Sequence, residues 1–132
     1  MDCIFCKIIK GEIPYDKVGE TDKFLAFLDI RPLAVGHVLV IPKEHFRWIW
    51  DVPYVGEYFE YVAKVANAQK KALGLDMVKS IVVGDEVHHA HVHLVPYESS
   101  GKARGFDFTR FAEVSKQEKD EVLKKIRDSI NL

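Results

Sequence analysis

His89, His91 and His93 stand at every second position in the run Val87–Pro96, and no other feature of this 132-residue chain constrains its fold so tightly. In a strand successive side chains point to opposite faces, so this alternation sets three imidazoles on one face and Ala90, Val92 and Leu94 on the other. An affinity-tag-like tract would lie at a terminus and lack the interleaved apolar residues. A single ion held by all three rings is geometrically awkward. At a rise of about 3.3 Å per residue the Cα atoms of His89 and His93 lie roughly 13 Å apart, too far for both rings to reach one zinc at about 2.1 Å. The row must divide its labour.

The surrounding pattern supplies a sheet for that row. Phe24–Asp29 reads as a strand, followed by the Arg31-Pro32 turn, and His37–Ile41 as a second strand closed by Pro42. Val78–Val83 and Val87–Val95 predict two strands about a tight antiparallel turn at Gly84-Asp85. Between them Val55, Phe59, Val62, Ala66 and Leu73 recur at helical spacing from Pro53 to Leu73, with Gly74 as a stop, and this stripe is expected to cover the sheet. Residues 3 to 10 read as a short helical or irregular lead-in ending at Gly11 and Pro14. Ser99–Phe111 reads as a loop. Ser115 with Glu118 forms a capping-box pattern that opens a C-terminal helix to about Ser129. Antiparallel strands, one long helix and terminal helices predict an α+β domain spanning residues 1–132.

Charge and composition narrow the function. With 19 basic and 20 acidic residues the net charge is -1, and no basic block attracts nucleic acid, so none is expected as a partner. No apolar run approaches a membrane span, and Met1–Lys7 has no leader pattern, so a cytoplasmic protein without membrane attachment is expected. Cys3 and Cys6 are the only cysteines, too close in sequence to staple distant segments, and their spacing points to metal or redox chemistry. Zinc would need two further ligands, for which His45 and one end of the histidine row are candidates.

Within the row, position 91 is best placed to attack a substrate, because neighbours on both sides can orient it. A histidine with its ordinary pKa near 6.5 is largely neutral and nucleophilic at cellular pH. Such a nucleophile suits phosphorus, with His37 and His93 donating hydrogen bonds to phosphate oxygens or the leaving group.

The segment His89-Ala90-His91-Val92-His93-Leu94-Val95 resembles the signature of the histidine triad (HIT) superfamily, which alternates histidine with apolar residues. Three further segments resemble that superfamily in order: Cys3–Pro14, Phe24–Ile30 and Gly36–Lys43. The resemblance implies a homodimer in which two five-stranded antiparallel sheets join. It implies nucleotide hydrolase or transferase chemistry at an α-phosphate, cleaving a phosphoramidate or a dinucleoside polyphosphate through a nucleotidyl-histidine intermediate, with the phosphoramidase branch favoured. His91 would be the nucleophile, His37 and His93 would assist, and His89 completes the catalytic row. Asp29 would bind ribose hydroxyls, and Phe5, Ile8, Phe27, Ile30 and Leu39 would sandwich a purine base. The resemblance also implies a structural zinc held by Cys3, Cys6, His45 and His89. Where many relatives carry a Gly-Gln-Ser/Thr-Val segment that contacts phosphate, this chain has Val83-Gly84-Asp85-Glu86-Val87, so Asp85 and Glu86 are given no phosphate-binding role. A nucleotide-binding regulatory module with little catalysis, and an enzyme using the row to hold a catalytic metal, are the competing expectations.

Overall fold

Two apolar runs, Phe24–Leu28 and Val38–Pro42, are buried at every residue, which requires cover on both faces of a sheet. The computed structural model, which describes residues 3–97 and 111–130, shows that cover. The elements in chain order are α1 (Ile4–Ile9), β1 (Lys17–Glu20), β2 (Phe24–Leu28), β3 (Val38–Pro42), a 3-10 turn (Ile49–Asp51), α2 (Val55–Leu73), β4 (Met77–Ile81), β5 (Val92–Tyr97) and α3 (Lys116–Ile130). The strands form one antiparallel sheet in the order β1-β2-β3-β5-β4. This is the expected α+β architecture. The loop read over Ser99–Phe111 lies outside the described residues except for Phe111.

Strand alternation divides the sheet into two chemically distinct faces. Phe24, Ala26, Leu28, Val38, Val40, Val92 and Leu94 join the main core with Tyr58, Val62 and Val65 of α2 and Val122 and Ile126 of α3. Leu25, Phe27, Leu39 and Ile41 face the other way and form a smaller cluster with Cys3, Phe5 and Ile8. Register pairs Leu39 with His93, so His93 stands on this second face. No helix among the described residues is long and apolar enough to cross a membrane.

Two expectations are corrected. First, β5 begins at Val92, not Val87, and a connection from Val82 to His91 replaces the tight turn. Pro42 ends β3 without an N–H to extend the ladder. Its carbonyl accepts instead from the His89 ring, 2.8 Å, and the Ala90 N–H turns to the Phe46 carbonyl, 2.7 Å. Second, the buried face of α2 is Tyr58, Tyr61, Val62, Val65, Ala68 and Gln69, whereas Val55 and Phe59 remain exposed. The helix packs against both the sheet and α3, so its buried stripe follows two partners rather than one. The fifth strand that the resemblance implies is β1, an edge strand whose short sequence, Lys-Val-Gly-Glu, carries little strand signal of its own. The capping box forms as expected, with Glu118 N–H donating to Ser115 Oγ and Ser115 N–H donating to Glu118 Oε1.

The β2–β3 connection is tied from beneath. Gln69, fully buried in α2, donates to the carbonyls of Gly36 (2.8 Å) and Leu94 (3.1 Å), each the sequence neighbour of a site histidine. Gly36 holds φ +85°, and a Cβ there would meet Leu73 Cδ1 at 2.9 Å. Left-handed backbone costs a residue with a Cβ roughly 1–2 kcal/mol, so Gly36→Ala is expected to lower urea-unfolding stability by about that amount. An unchanged midpoint would mean that the turn before His37 relaxes freely.

Candidate active site and metal centre

Cys3 caps the N-terminus of α1, its Sγ accepting from the Cys6 N–H at 3.4 Å, so the first turn brings both sulfurs to one point. His89 Nδ1 lies 3.3 Å from Cys3 Sγ and 3.5 Å from Cys6 Sγ, and His45 Nδ1 lies 3.4 Å from Cys6 Sγ. All four ligand atoms lie within 4.8 Å of one another. Around a tetrahedral zinc, bonds of about 2.3 Å to sulfur and about 2.0–2.1 Å to nitrogen place neighbouring S and N ligands about 3.5 Å apart. The donor set therefore fits such an ion. Its outer support fits too: Pro42 carbonyl takes the Nε2 proton of His89 and so leaves Nδ1 bare toward the sulfurs. Burial and the adjacent Cys3 push the Cys6 thiol up to about 11, the opposite of what a bound cation would do.

Hydrogen-bond partners fix the tautomers of the remaining imidazoles as well. His91 Nδ1 is 2.7 Å from its neighbour's carbonyl, that of His89. A carbonyl only accepts, so Nδ1 carries the proton and Nε2 presents a lone pair. The Leu33 N–H donates to His37 Nδ1 at 3.0 Å, which puts the His37 proton on Nε2. That proton points to His93 Nδ1, 3.0 Å away, so neutral His93 carries its own proton on Nε2. Burial pushes His37, His89 and His93 down to about 4. Burial lowers His91 as well, opposed by its bond to the His89 carbonyl and by Asp29. All four rings are thus neutral near pH 7.

Asp29 sits beside this pair. Its Oδ1 accepts from the Arg31 N–H at 2.8 Å, and its Oδ2 lies 3.5 Å from His37 Nε2 and 3.9 Å from His93 Nδ1. Burial raises its pKa, partly offset by the Arg31 N–H. Asp29, His37 and His93 have the spacing of a metal triad. The Leu33 bond argues against that use, because a ligating His37 Nε2 would have to give its proton to a nitrogen already accepting one. The cluster is held together by hydrogen bonds.

The structure brings together His89, His91 and His93 along one side, although only His93 belongs to the ladder. Phe5 lies edge-on to both His89 and His91, with ring centroids 5.8 and 5.3 Å apart, and His91 is 5.1 Å from His93. Phe5, Ile8, Phe27 and Leu39 pack in the second-face cluster. Ile30 does not join them; it is 81% exposed and lines a cavity of about 230 Å³ with Asp29, His37 and Lys119. His88, Asp85 and Glu86 are exposed. Two residues near the site had no signal in the sequence: Gln69, described above, and Arg47, which shares a small recess with His91.

A profile of the HIT domain matches residues 10–100. The chain belongs to the HIT family. A HIT-like protein of Methanocaldococcus jannaschii, described as uncharacterised, is 41% identical over 95% of this chain and 98% of its own length. An adenosine 5'-monophosphoramidase of Saccharomyces cerevisiae is 40% identical over 87% of this chain and 79% of its own. The crystal structure of a Zn-bound histidine triad family protein from Mycobacterium smegmatis superposes with a TM-score of 0.79 at 29% identity, covering 99% of this chain and 94% of that one.

Proposed function

We propose that this HIT protein, acting as one domain over residues 1–132, hydrolyses purine nucleoside monophosphates that carry a leaving group on the α-phosphorus. Phosphoramidates are favoured over dinucleoside polyphosphates. The observation that carries this reading is the state of His91: neutral, buried, its Nδ1 proton tied to the His89 carbonyl, and its Nε2 lone pair left for attack. The name of the Saccharomyces relative agrees with such chemistry.

His91 Nε2 attacks phosphorus, and a P–Nε2 bond forms as the bond to the leaving group breaks. The leaving group departs with that electron pair and a proton from solvent, hydrogen-bonded by His93 Nε2–H. The positive charge left on the His91 ring is stabilised through Nδ1–H by the His89 carbonyl. Water then adds its hydroxyl to phosphorus and releases a proton to solvent. The P–Nε2 bond breaks and its electrons return to the ring. His37 orients His93 through Nε2–H. Asp29 retains Oδ2 for ribose hydroxyls; Phe5, Ile8, Phe27 and Leu39 form the buried apolar wall for the base, and Ile30, exposed beside Asp29 and apart from them, covers its outer side.

Cys3, Cys6, His45 and His89 hold zinc in this reading, and with four protein ligands the ion fixes structure rather than binding substrate. A second copy pairs along β4. That edge faces no strand among the described residues, and Val55, Phe59, Met77 and Val82 are exposed near 37–39%. At the opposite edge α3 covers β1, with Arg127 Nε donating to the Lys17 carbonyl at 2.6 Å.

Incubation with adenosine phosphoramidate should release AMP, and His91→Ala should slow that release at least about a thousandfold. Equal rates would remove His91 as nucleophile. Calorimetric AMP binding by a wild-type protein that turns over no AMP derivative would favour the regulatory-module reading. Metal analysis in reducing buffer should find one zinc per chain, lost together with thermal stability in a Cys3→Ser/Cys6→Ser variant, because metal binding is coupled to folding. Full zinc retention by that variant would contradict the assigned ligands.

A further inference from the structure

Arg47 follows the metal-centre candidate His45 by two residues, in the segment leading to the 3-10 turn. Three constraints fix it beside His91. The Phe46 carbonyl accepts the Ala90 N–H at 2.7 Å, which pins the residue before Arg47 to the residue before His91. The Arg47 guanidinium lies over Trp48, its Cζ 3.7 Å from the ring centroid. Gly84 closes the other side: a Cβ there would collide with the Trp48 ring and stand 3.1 Å from Arg47 Nη1. Arg47, Trp48, Gly84 and His91 line one recess of about 10 Å³, close to the space one water or one phosphoryl oxygen needs.

Within that recess the guanidinium is incompletely used. Arg47 Nη1 is buried and has no hydrogen-bond partner, and no carboxylate pairs with Arg47 among the described residues. A buried donor without an acceptor is destabilising, and a charged one calls for an anion or water. A planar guanidinium matches a phosphate oxygen in shape and charge. The nearby acidic pair, Asp85 and Glu86, is exposed and leaves the recess to Arg47.

We propose that Arg47 binds a non-bridging oxygen of the phosphorus that His91 attacks, an assignment resting on the hydrolase reading above. Charge on those oxygens is held most tightly at the five-coordinate transition state, so the contact acts mainly on turnover. One pre-placed donor of this kind is worth about 100-fold in rate.

The test compares wild type, Arg47→Gln and Arg47→Lys with adenosine phosphoramidate, each checked for zinc content and thermal midpoint. Calorimetry with AMP and with adenosine isolates the phosphate contact. Arg47→Gln should lose about 100-fold in kcat with less than a tenfold rise in KM. Its preference for AMP over adenosine should fall about tenfold. Arg47→Lys should recover part of both, and added guanidinium should partly restore the Gln variant. A kcat within threefold of wild type, with the AMP-to-adenosine preference intact, would overturn the proposal and leave Nη1 as a water-bound structural donor. If Arg47→Gln loses zinc or fails to fold, the same comparison is read from Arg47→Lys, where wild-type kcat and preference would overturn it. If wild type itself hydrolyses nothing, the hydrolase reading fails, and the AMP-to-adenosine preference alone decides whether Arg47 binds phosphate.

Discussion

The hydrogen bond between His91 Nδ1 and the carbonyl of His89, 2.7 Å long, is the interaction on which the proposed chemistry depends. A neutral imidazole has one proton and one lone pair, and whichever nitrogen is claimed by the protein decides what the other can do. The backbone makes that decision around the site. The Pro42 carbonyl takes the Nε2 proton of His89 and turns Nδ1 toward two sulfurs. The Leu33 N–H occupies His37 Nδ1 and sends the other nitrogen's proton to His93. Three chemically identical side chains in alternation thereby acquire three different faces.

Pro42 links this chemistry to the fold. It ends β3, and the ladder that would have continued into the histidine row is replaced by a ring-to-carbonyl bond and by the Ala90 bond to Phe46. The row is therefore extended but only partly in the sheet, and the freed backbone carbonyl of His89 is available to the His91 ring. Burial completes the arrangement by disfavouring the charged form of His37, His89, His91 and His93. The two faces of the sheet have separate tasks. One is held by α2 and α3, and the other, under α1, carries the cysteines, the rings and the apolar cluster.

Much of this was legible in the sequence because it depends on period and punctuation. The apolar runs of β2 and β3, the long helix stopped by Gly74, and the Ser115–Glu118 cap each follow from local rules. The clustering of Cys3, Cys6, His45 and His89 followed from motif resemblance, since spacing alone left open which end of the row would join the cysteines. What the sequence hid depends on tertiary partners. The start of β5 is decided by what Pro42 accepts, and the buried face of α2 by the presence of α3. Ile30 has the composition of a core residue and lies 81% exposed. Arg47 and Gln69 carry no motif at all; they are visible only once a buried guanidinium nitrogen and two bridged carbonyls are seen in space.

The ring protonation states themselves are the most direct test of this account, and long-range proton–nitrogen NMR of 15N-histidine-labelled protein near neutral pH reads them without substrate. His91 is expected as the Nδ1-protonated tautomer, with His37, His89 and His93 protonated on Nε2. A His91 ring found protonated on Nε2, or carrying both protons, would have no lone pair for phosphorus and would contradict it.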